Sequence, residues 1–412
     1  MADIIVLGAG MVGISTALAF QKRGHSVIVV DRKQPGRETS FGNAGIIQSE
    51  AAEPYALPLD ISTLFKMAAG ISNDVVWSVS GLMRMTPALL SYFRNSLPGR
   101  HRRISQIYAG LTCRATQDHA PLIEAANAQN MISKEGLCVL YRDPRAFEEA
   151  AAAAERIRST YGVPYRALAG VDYAAEEPAL KVTPAGGIHW EPSWSCANPG
   201  ALVEAYADLF RARGGEVLEG DAATLKQAGG SWSVSTAGGT QQASTVVVAL
   251  GPWSPQLLRS FGYRIPMVYK RGYHGHYESR TPLRRPFMDA ANGVVAASMQ
   301  TGLRISTGAA LVPLDAPAEP KQLVRGRQAL GELIDLGRQI EEPQWFGTRP
   351  CLPDMLPLVG PSPRHKGLLF NFGHGHQGFT LGPTTGDLLA EAFDTPGSGV
   401  LTGLDPTGRI AV

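Results

Sequence analysis

The sequence predicts an α/β protein: a doubly wound, mostly parallel unit joined to an α+β unit built on an antiparallel sheet. Three observations carry that expectation. The chain opens with strand, glycine turn, helix and strand within 31 residues; strand-like runs separated by turn residues crowd positions 259–344; and strand, glycines and helix return in order between 368 and 393. With 412 residues, 44% hydrophobic and 18% charged, it has room for two or three domains and the balance of a globular protein. A net charge of +2 gives no reason to expect nucleic acid as a partner.

No apolar run reaches the ~18 residues a membrane-crossing helix needs. The opening "MADIIVLGAGMVG" has no basic start or small-residue cleavage site and reads as a first strand, not a signal peptide. Cys113, Cys138, Cys196 and Cys351 stand apart without a CxxC pair, against a disulfide framework and against zinc. A cytoplasmic location is the expectation, with peripheral contact to the inner membrane left open.

The most informative stretch is "DIIVLGAGMVGISTALAFQKRGHSVIVVD". Ile4 to Leu7 are rich in β-branched residues, as a strand buried on both faces requires. Gly8, Gly10 and Gly13 follow at GxGxxG spacing. Val12 to Arg23 has helical spacing and stops at Gly24, and Val27 to Val30 form a second strand ending at Asp31. In such a unit the first glycine permits the tight turn, the second lets a pyrophosphate approach the backbone, and the third lets the helix pack on the strand. Phosphates then meet the helix N-terminus at Met11 and Val12. Asp31, with Arg32 beside it, is placed to accept hydrogen bonds from ribose hydroxyls and would repel a 2′-phosphate, against NADP. This is a Rossmann-type dinucleotide site. The spacing leaves FAD and NAD both open.

The next segment, "RETSFGNAGIIQ" (37–48), is small and polar where a nicotinamide enzyme would continue with plain βαβ units. Here the chain resembles the D-amino acid dehydrogenase branch of the D-amino acid oxidase-like flavoenzymes, whose "ETSFxNAG" segment runs from the ribose end of FAD towards the isoalloxazine. Three later blocks continue the resemblance in order: "NPGALVEAYADLFRARGGEVLEG" (198–220), "STVVVALGPWS" (244–254), and "GTRPCLPDMLPLVGPSP" with "GLLFNFGHGHQGFTLGPTTGDLLAEAF" (347–393). The resemblance implies FAD, with Ser40, Asn43, Ala44, Gly45 and Ile46 along the flavin. Ala223, Gly251 and Trp253 are expected on the same cleft, with Gly373, His374, Gly375, Gly378, Phe379 and Thr380 closing it. It also implies a discontinuous FAD-binding domain at 1–55, 186–258 and 345–412, and a substrate domain at 56–185 and 259–344. "QLVRGRQALGELIDLGRQI" (322–340) reads as a helix of the latter.

Two stretches carry a His-Gly-His pattern, "GYHGHYE" (272–278) and "FGHGHQGFT" (372–380). No further ligand is placed at metal spacing near them, so no metal is expected. In the second stretch the glycines let backbone lie against the flavin, and the helix from Leu381 offers its N-terminus to the charge of a reduced flavin. In the first, strand alternation puts His274 and His276 on one face and Tyr273 and Tyr277 on the other.

Enzymes of the resembling kind move a hydride from the carbon beside an amine to flavin N5. An amino-acid substrate calls for an arginine fork to hold its carboxylate. Arg349 matches the "RP" arginine that does so in amino-acid-oxidising members; Arg271 and Tyr273 rank second and Arg304 third. His376 and Gln377 sit where relatives place a side chain over the substrate. Polar residues there depart from the branch's pattern and suit a cyclic or hydroxylated substrate, D-proline or D-hydroxyproline. Cys351 resembles the tethering cysteine of sarcosine-oxidase-like relatives, but "CLPD" is not their context, so FAD is expected to be non-covalent. The expected reaction is oxidative deamination of D-amino acids with a quinone or other electron acceptor. The alternatives are an oxygen-using glycine or sarcosine oxidase, or the FAD subunit of a larger complex, whose iron–sulfur centres would lie in another chain.

Overall fold

A computed structural model describes residues 2–60, 73 and 75–411. In the first of its sheets Ala2–Leu7 lies between Val27–Asp31 and Gly239–Val248, parallel to both. Glu216–Ala228 extends the parallel pairing beyond Val27–Asp31, and Leu368–Phe372 beyond Gly239–Val248. Ser231–Thr236 and the edge strand Leu358–Pro361 complete seven strands with antiparallel pairings. Ile4, Ile5, Val6 and Leu7 are fully buried, which is why this run has no polar alternation.

The first helix, Met11–Lys22, and the last, Gly378–Asp394, cross in close contact against this sheet. Glycine permits the approach: a Cβ on Gly382 would lie 2.8 Å from Met11 Cγ, and one on Gly386 3.0 Å from the Thr16 Cα. The helix Pro199–Ala212 packs on the same core, its start capped by Asn198, whose side chain accepts from the Ala201 N–H.

The second sheet has ten strands. Val268–Tyr277 is its spine, antiparallel to Trp345–Cys351 on one edge and to Gly302–Ser306 and Ala309–Leu311 on the other. Val294–Met299, Phe287–Asp289, Leu137–Tyr141, Gly186–Trp190 and Arg166–Ala169 follow outward; only the pairings of Phe287–Asp289 with Leu137–Tyr141 and of Ala309–Leu311 with Val75–Trp77 are parallel. A small third sheet of Ile46–Ile47, Trp194–Cys196 and Ile132–Ser133 ties the segment after the glycine motif to the rest.

Sequence and structure differ at element edges. Gly186–Trp190 and Trp345–Cys351, assigned by sequence to the first unit, hydrogen-bond in the second sheet. Their partners are distant in sequence, so local pattern could not choose between sheets. The helix expected over 322–340 runs only Lys321–Leu333, because Ile334 turns extended and bridges Leu180. The closing helix starts at Gly378, three residues before the expected Leu381.

Candidate functional site

A cavity of about 1170 Å³ runs between the two sheets, lined at one end by Gly8, Gly10 and Asp31 and at the other by Arg349 and His376. At the first end the glycines have separate jobs. Gly8 has φ +112, and a Cβ there would lie 2.5 Å from the Ala249 carbonyl oxygen; on Gly13 it would lie 1.8 Å from the Gly8 oxygen. Gly13 therefore shapes the turn from outside the cavity wall. Gly10, Met11 and Val12 line the cavity, and the Met11 N–H is taken by Ser40 Oγ at 3.1 Å. No described residue accepts from the Val12 N–H, which leaves a helix-end donor on the cavity for an anion. Asp31 accepts from the Ala9 N–H at 2.6 Å and the Lys33 N–H at 3.0 Å; burial raises its pKa against those bonds. Arg32 lies over the Trp253 ring, 4.6 Å from its centroid, and pairs with Glu38; Ala223 and Gly251 share this wall.

Ser40, Asn43, Ala44 and Ile46 continue along the cavity. Asn43 Oδ1 accepts from the Gly45 N–H at 2.8 Å, and Gly45, at φ +73, would place a Cβ 2.2 Å from the Cys196 oxygen. Gly45 thus turns the segment without lining the cavity. Thr380 is also behind the wall, its hydroxyl accepting from the Gln48 N–H at 3.2 Å. Arg304, third among the anchor candidates, is not in this cavity: it donates to the Phe41 and Asn43 carbonyls and to His276 Nε2 at 3.0 Å. His276 Nδ1 in turn contacts Glu342 at 2.7 Å, so the first His-Gly-His stretch does gather an acid that sequence spacing did not reveal. Both ring nitrogens of His276 are engaged, and the cluster clamps the 37–48 segment from behind.

At the second end Gly373, His374, Gly375, His376, Gly378 and Phe379 line the cavity. His374 points into the helix base: its Nε2 meets Thr385 Oγ1 at 2.9 Å, and burial pushes its pKa down to about 3. The His376 ring packs on Tyr55, at 5.0 Å between centroids, and is also lowered to about 3, by burial first and then by Arg349 and Lys270. It is a neutral ring at ordinary pH. Gln377, expected over the substrate, is instead buried behind the wall, donating to Gln48 Oε1 at 3.0 Å and to His376 Nε2 at 3.1 Å.

Arg349 lines the cavity, donating to the Gly308 carbonyl at 2.6 Å and the Thr307 carbonyl at 3.0 Å. Gly272 makes its room: a Cβ there would lie 2.7 Å from Arg349 Nη2. Arg271 is corrected by the alternation of its strand. Arg271 faces away, spending its guanidinium on the carbonyls of Pro313, Leu314, Ala316 and Pro317 over the Phe346 ring. Tyr273 lines the cavity where its strand passes it, while its side chain packs in that opposite core, its hydroxyl accepting from the Glu319 N–H at 3.1 Å. The same alternation turns Lys270 inward, a residue that sequence reading passed over although it shares a face with Gly272 and His274. Its ammonium lies 2.9 Å from the Tyr92 hydroxyl. Glu50 was missed as well; buried, it accepts from Ser193 and, at 2.8 Å, from Gln48, and burial raises its pKa. The Cys351 thiol is buried and pushed up by that burial.

The residues fit FAD: glycine-lined backbone beside a helix end with an open donor, an acid at the end of the second strand, and a second helix end at Gly378. Comparisons with known proteins agree. The chain is 30% identical over 427 residues to a Pseudomonas aeruginosa protein named D-amino acid dehydrogenase 2, covering 99% of each. It is 29% identical over 403 residues to a Bradyrhizobium diazoefficiens D-amino-acid oxidase, covering 94% of each. The glycine oxidase structure from Geobacillus kaustophilus superposes with a TM-score of 0.74 at 19% identity, over 100% of this chain and 99% of that one. The family model for FAD dependent oxidoreductases (DAO) matches residues 3–392, and the chain belongs to that family.

Proposed function

We propose that this protein is an FAD-dependent dehydrogenase that oxidises D-amino acids, with a primary or a ring amine, and passes the electrons to a quinone or another acceptor. The observation that carries this reading is Arg349, a half-buried guanidinium on the cavity wall beside the glycine loop, with Gly272 leaving it space. Two of its donors are fixed by carbonyls, which holds the fork in place for a carboxylate. FAD, when bound, supplies the hydride acceptor. The chain's residues do the positioning: Arg349 holds the acid group, neutral His376 takes a hydrogen-bonding role without adding charge, and the Gly378 helix end favours negative charge beside it. The D configuration is supported by the names of the curated relatives, which divide between dehydrogenase and oxidase.

Mixing FAD-loaded protein anaerobically with D- and L-amino acids tests the reading. Flavin bleaching by D-enantiomers is expected, and bleaching by L-enantiomers alone would overturn it. Admitting oxygen then separates a dehydrogenase, slow to recolour, from an oxidase. Among the described residues no helix is long and apolar enough to cross a membrane. Val79, Met83, Leu90 and Phe93 are exposed at helical spacing on Val79–Asn95, which supports a peripheral membrane contact where a quinone would be met. Co-sedimentation with lipid vesicles, lost on changing Met83 and Leu90 to Ser, is the expected result.

A further inference from the structure

Lys270 and Arg349 stand directly opposite each other in the antiparallel register of Val268–Tyr277 and Trp345–Cys351, so their side chains leave the same face. Both line the cavity. Like charges facing across a strand pair repel, and partial withdrawal of each from water into the cavity wall adds to the cost. The ammonium has the Tyr92 hydroxyl and ring as partners, the guanidinium two carbonyls; among the described residues no carboxylate pairs with either. Tyr92 donates its own proton to the Tyr55 carbonyl, so it accepts from Lys270 and fixes where the ammonium sits. Among the described residues the ammonium donates to no other group. Nearby Glu50 is bound to Ser193 and Gln48 rather than to a cation. His376, which both cations face, is neutral and offers no counter-charge.

An α-carboxylate neutralises one of the two cations. We propose that Lys270 takes a second one, and that the cavity selects D-amino acids with an acidic side chain, of the aspartate or glutamate class. Arg349 holds the α-carboxylate and Lys270 the distal carboxylate. This rests on the D-amino acid reading above and names its substrate class.

The test compares acids with their uncharged amide isosteres, D-glutamate with D-glutamine and D-aspartate with D-asparagine, on the FAD-loaded enzyme. The acid should be preferred in kcat/KM by at least ~30-fold, the lower end for a paired buried charge. Lys270→Met should collapse that ratio, and Lys270→Arg should keep most of it. A parent ratio near or below one, or an unchanged ratio in Lys270→Met, overturns the proposal. A second arm needs no turnover: glutarate and its monoamide are titrated against the bound-flavin spectrum. Tighter glutarate binding that depends on Lys270 supports the charge trap even if no D-amino acid is oxidised, in which case the D-amino acid reading is what fails. Equal binding of the two overturns the charge trap while leaving D-amino acid turnover to stand.

Discussion

The two His-Gly-His stretches share a pattern and little else. In the first, His274 and His276 sit inside a sheet strand at ordinary extended geometry; His274 stacks on Trp345 at 4.6 Å and His276 is locked between Glu342 and Arg304. In the second, Gly373 and Gly375 take φ +85 and +59, and the loop is strapped to the neighbouring strand by the Gly375 N–H to the Pro350 carbonyl at 2.9 Å. Trp345–Cys351 links them, pairing with the first stretch as far as His274 and bridging His374 at its other end. Imidazole chemistry is set by partners, and the glycine's role by backbone conformation. In the strand the side chains hold the FAD segment from behind; in the loop the backbone itself forms the wall.

The largest expected effect lies on the linking strand. Arg349→Met should lower kcat/KM for D-amino acids by roughly 30-fold to several thousand-fold, the cost of removing one partner of an enclosed charge pair, with FAD content retained. Gly272→Ala should reproduce part of that loss by displacing the guanidinium. A parent-like rate in Arg349→Met would move the anchor elsewhere.

The glycines separate the stretches next. Gly373→Ala combines a left-handed φ with a Cβ 2.6 Å from Leu352 Cδ1, and should cost about 2–4 kcal/mol and weaken FAD retention. Gly275→Ala, whose Cβ meets nothing closer than the Leu323 Cδ2 at 3.3 Å, should cost less than ~1 kcal/mol. Denaturant unfolding of both variants checks the order, and equal costs would break the distinction.

A smaller effect is shared. His274, His374 and His376 are depressed to about 3, burial first in each case, from an ordinary 6.5. Between those values the unfolded chain binds protons that the folded chain does not. Their contribution is therefore full above 6.5 and lost as pH falls towards 3. The melting temperature should drop as pH falls through that window, less steeply in His374→Gln. Thr385 donates to the Leu381 carbonyl and so accepts from His374, a bond that glutamine can replace.

The smallest effect is at Cys351, next to the loop. Denaturation should release yellow FAD into the supernatant from the parent and from Cys351→Ser alike; colour retained by the parent's precipitate would show a covalent link.

Much of the cofactor end was legible because its determinants are local. Gly8, Gly10, Gly13 and Asp31 lie within one strand–helix–strand unit, and backbone sterics and helix-end donors dictate those residue types wherever the unit occurs. Trp345–Cys351 read as part of the first unit but pairs in the second sheet, and Arg271 was put forward while Lys270 was passed over, for the opposite reason. Strand alternation says which residues share a face, but only the packed sheets say which face is the cavity and which the core. Glu342 reaches His276 across 66 positions, and Glu50 reaches Ser193 across 143, contacts no spacing rule anticipates. By itself the sequence determined the fold class and the dinucleotide unit, and put Arg349 forward as the anchor. The tertiary structure decided that Lys270 faces that arginine, that Gln377 and Arg304 work behind the wall, and that two similar histidine pairs have different tasks. Those outcomes depend on desolvation and on partners brought together from distant parts of the chain, which exist only once the two sheets close on each other.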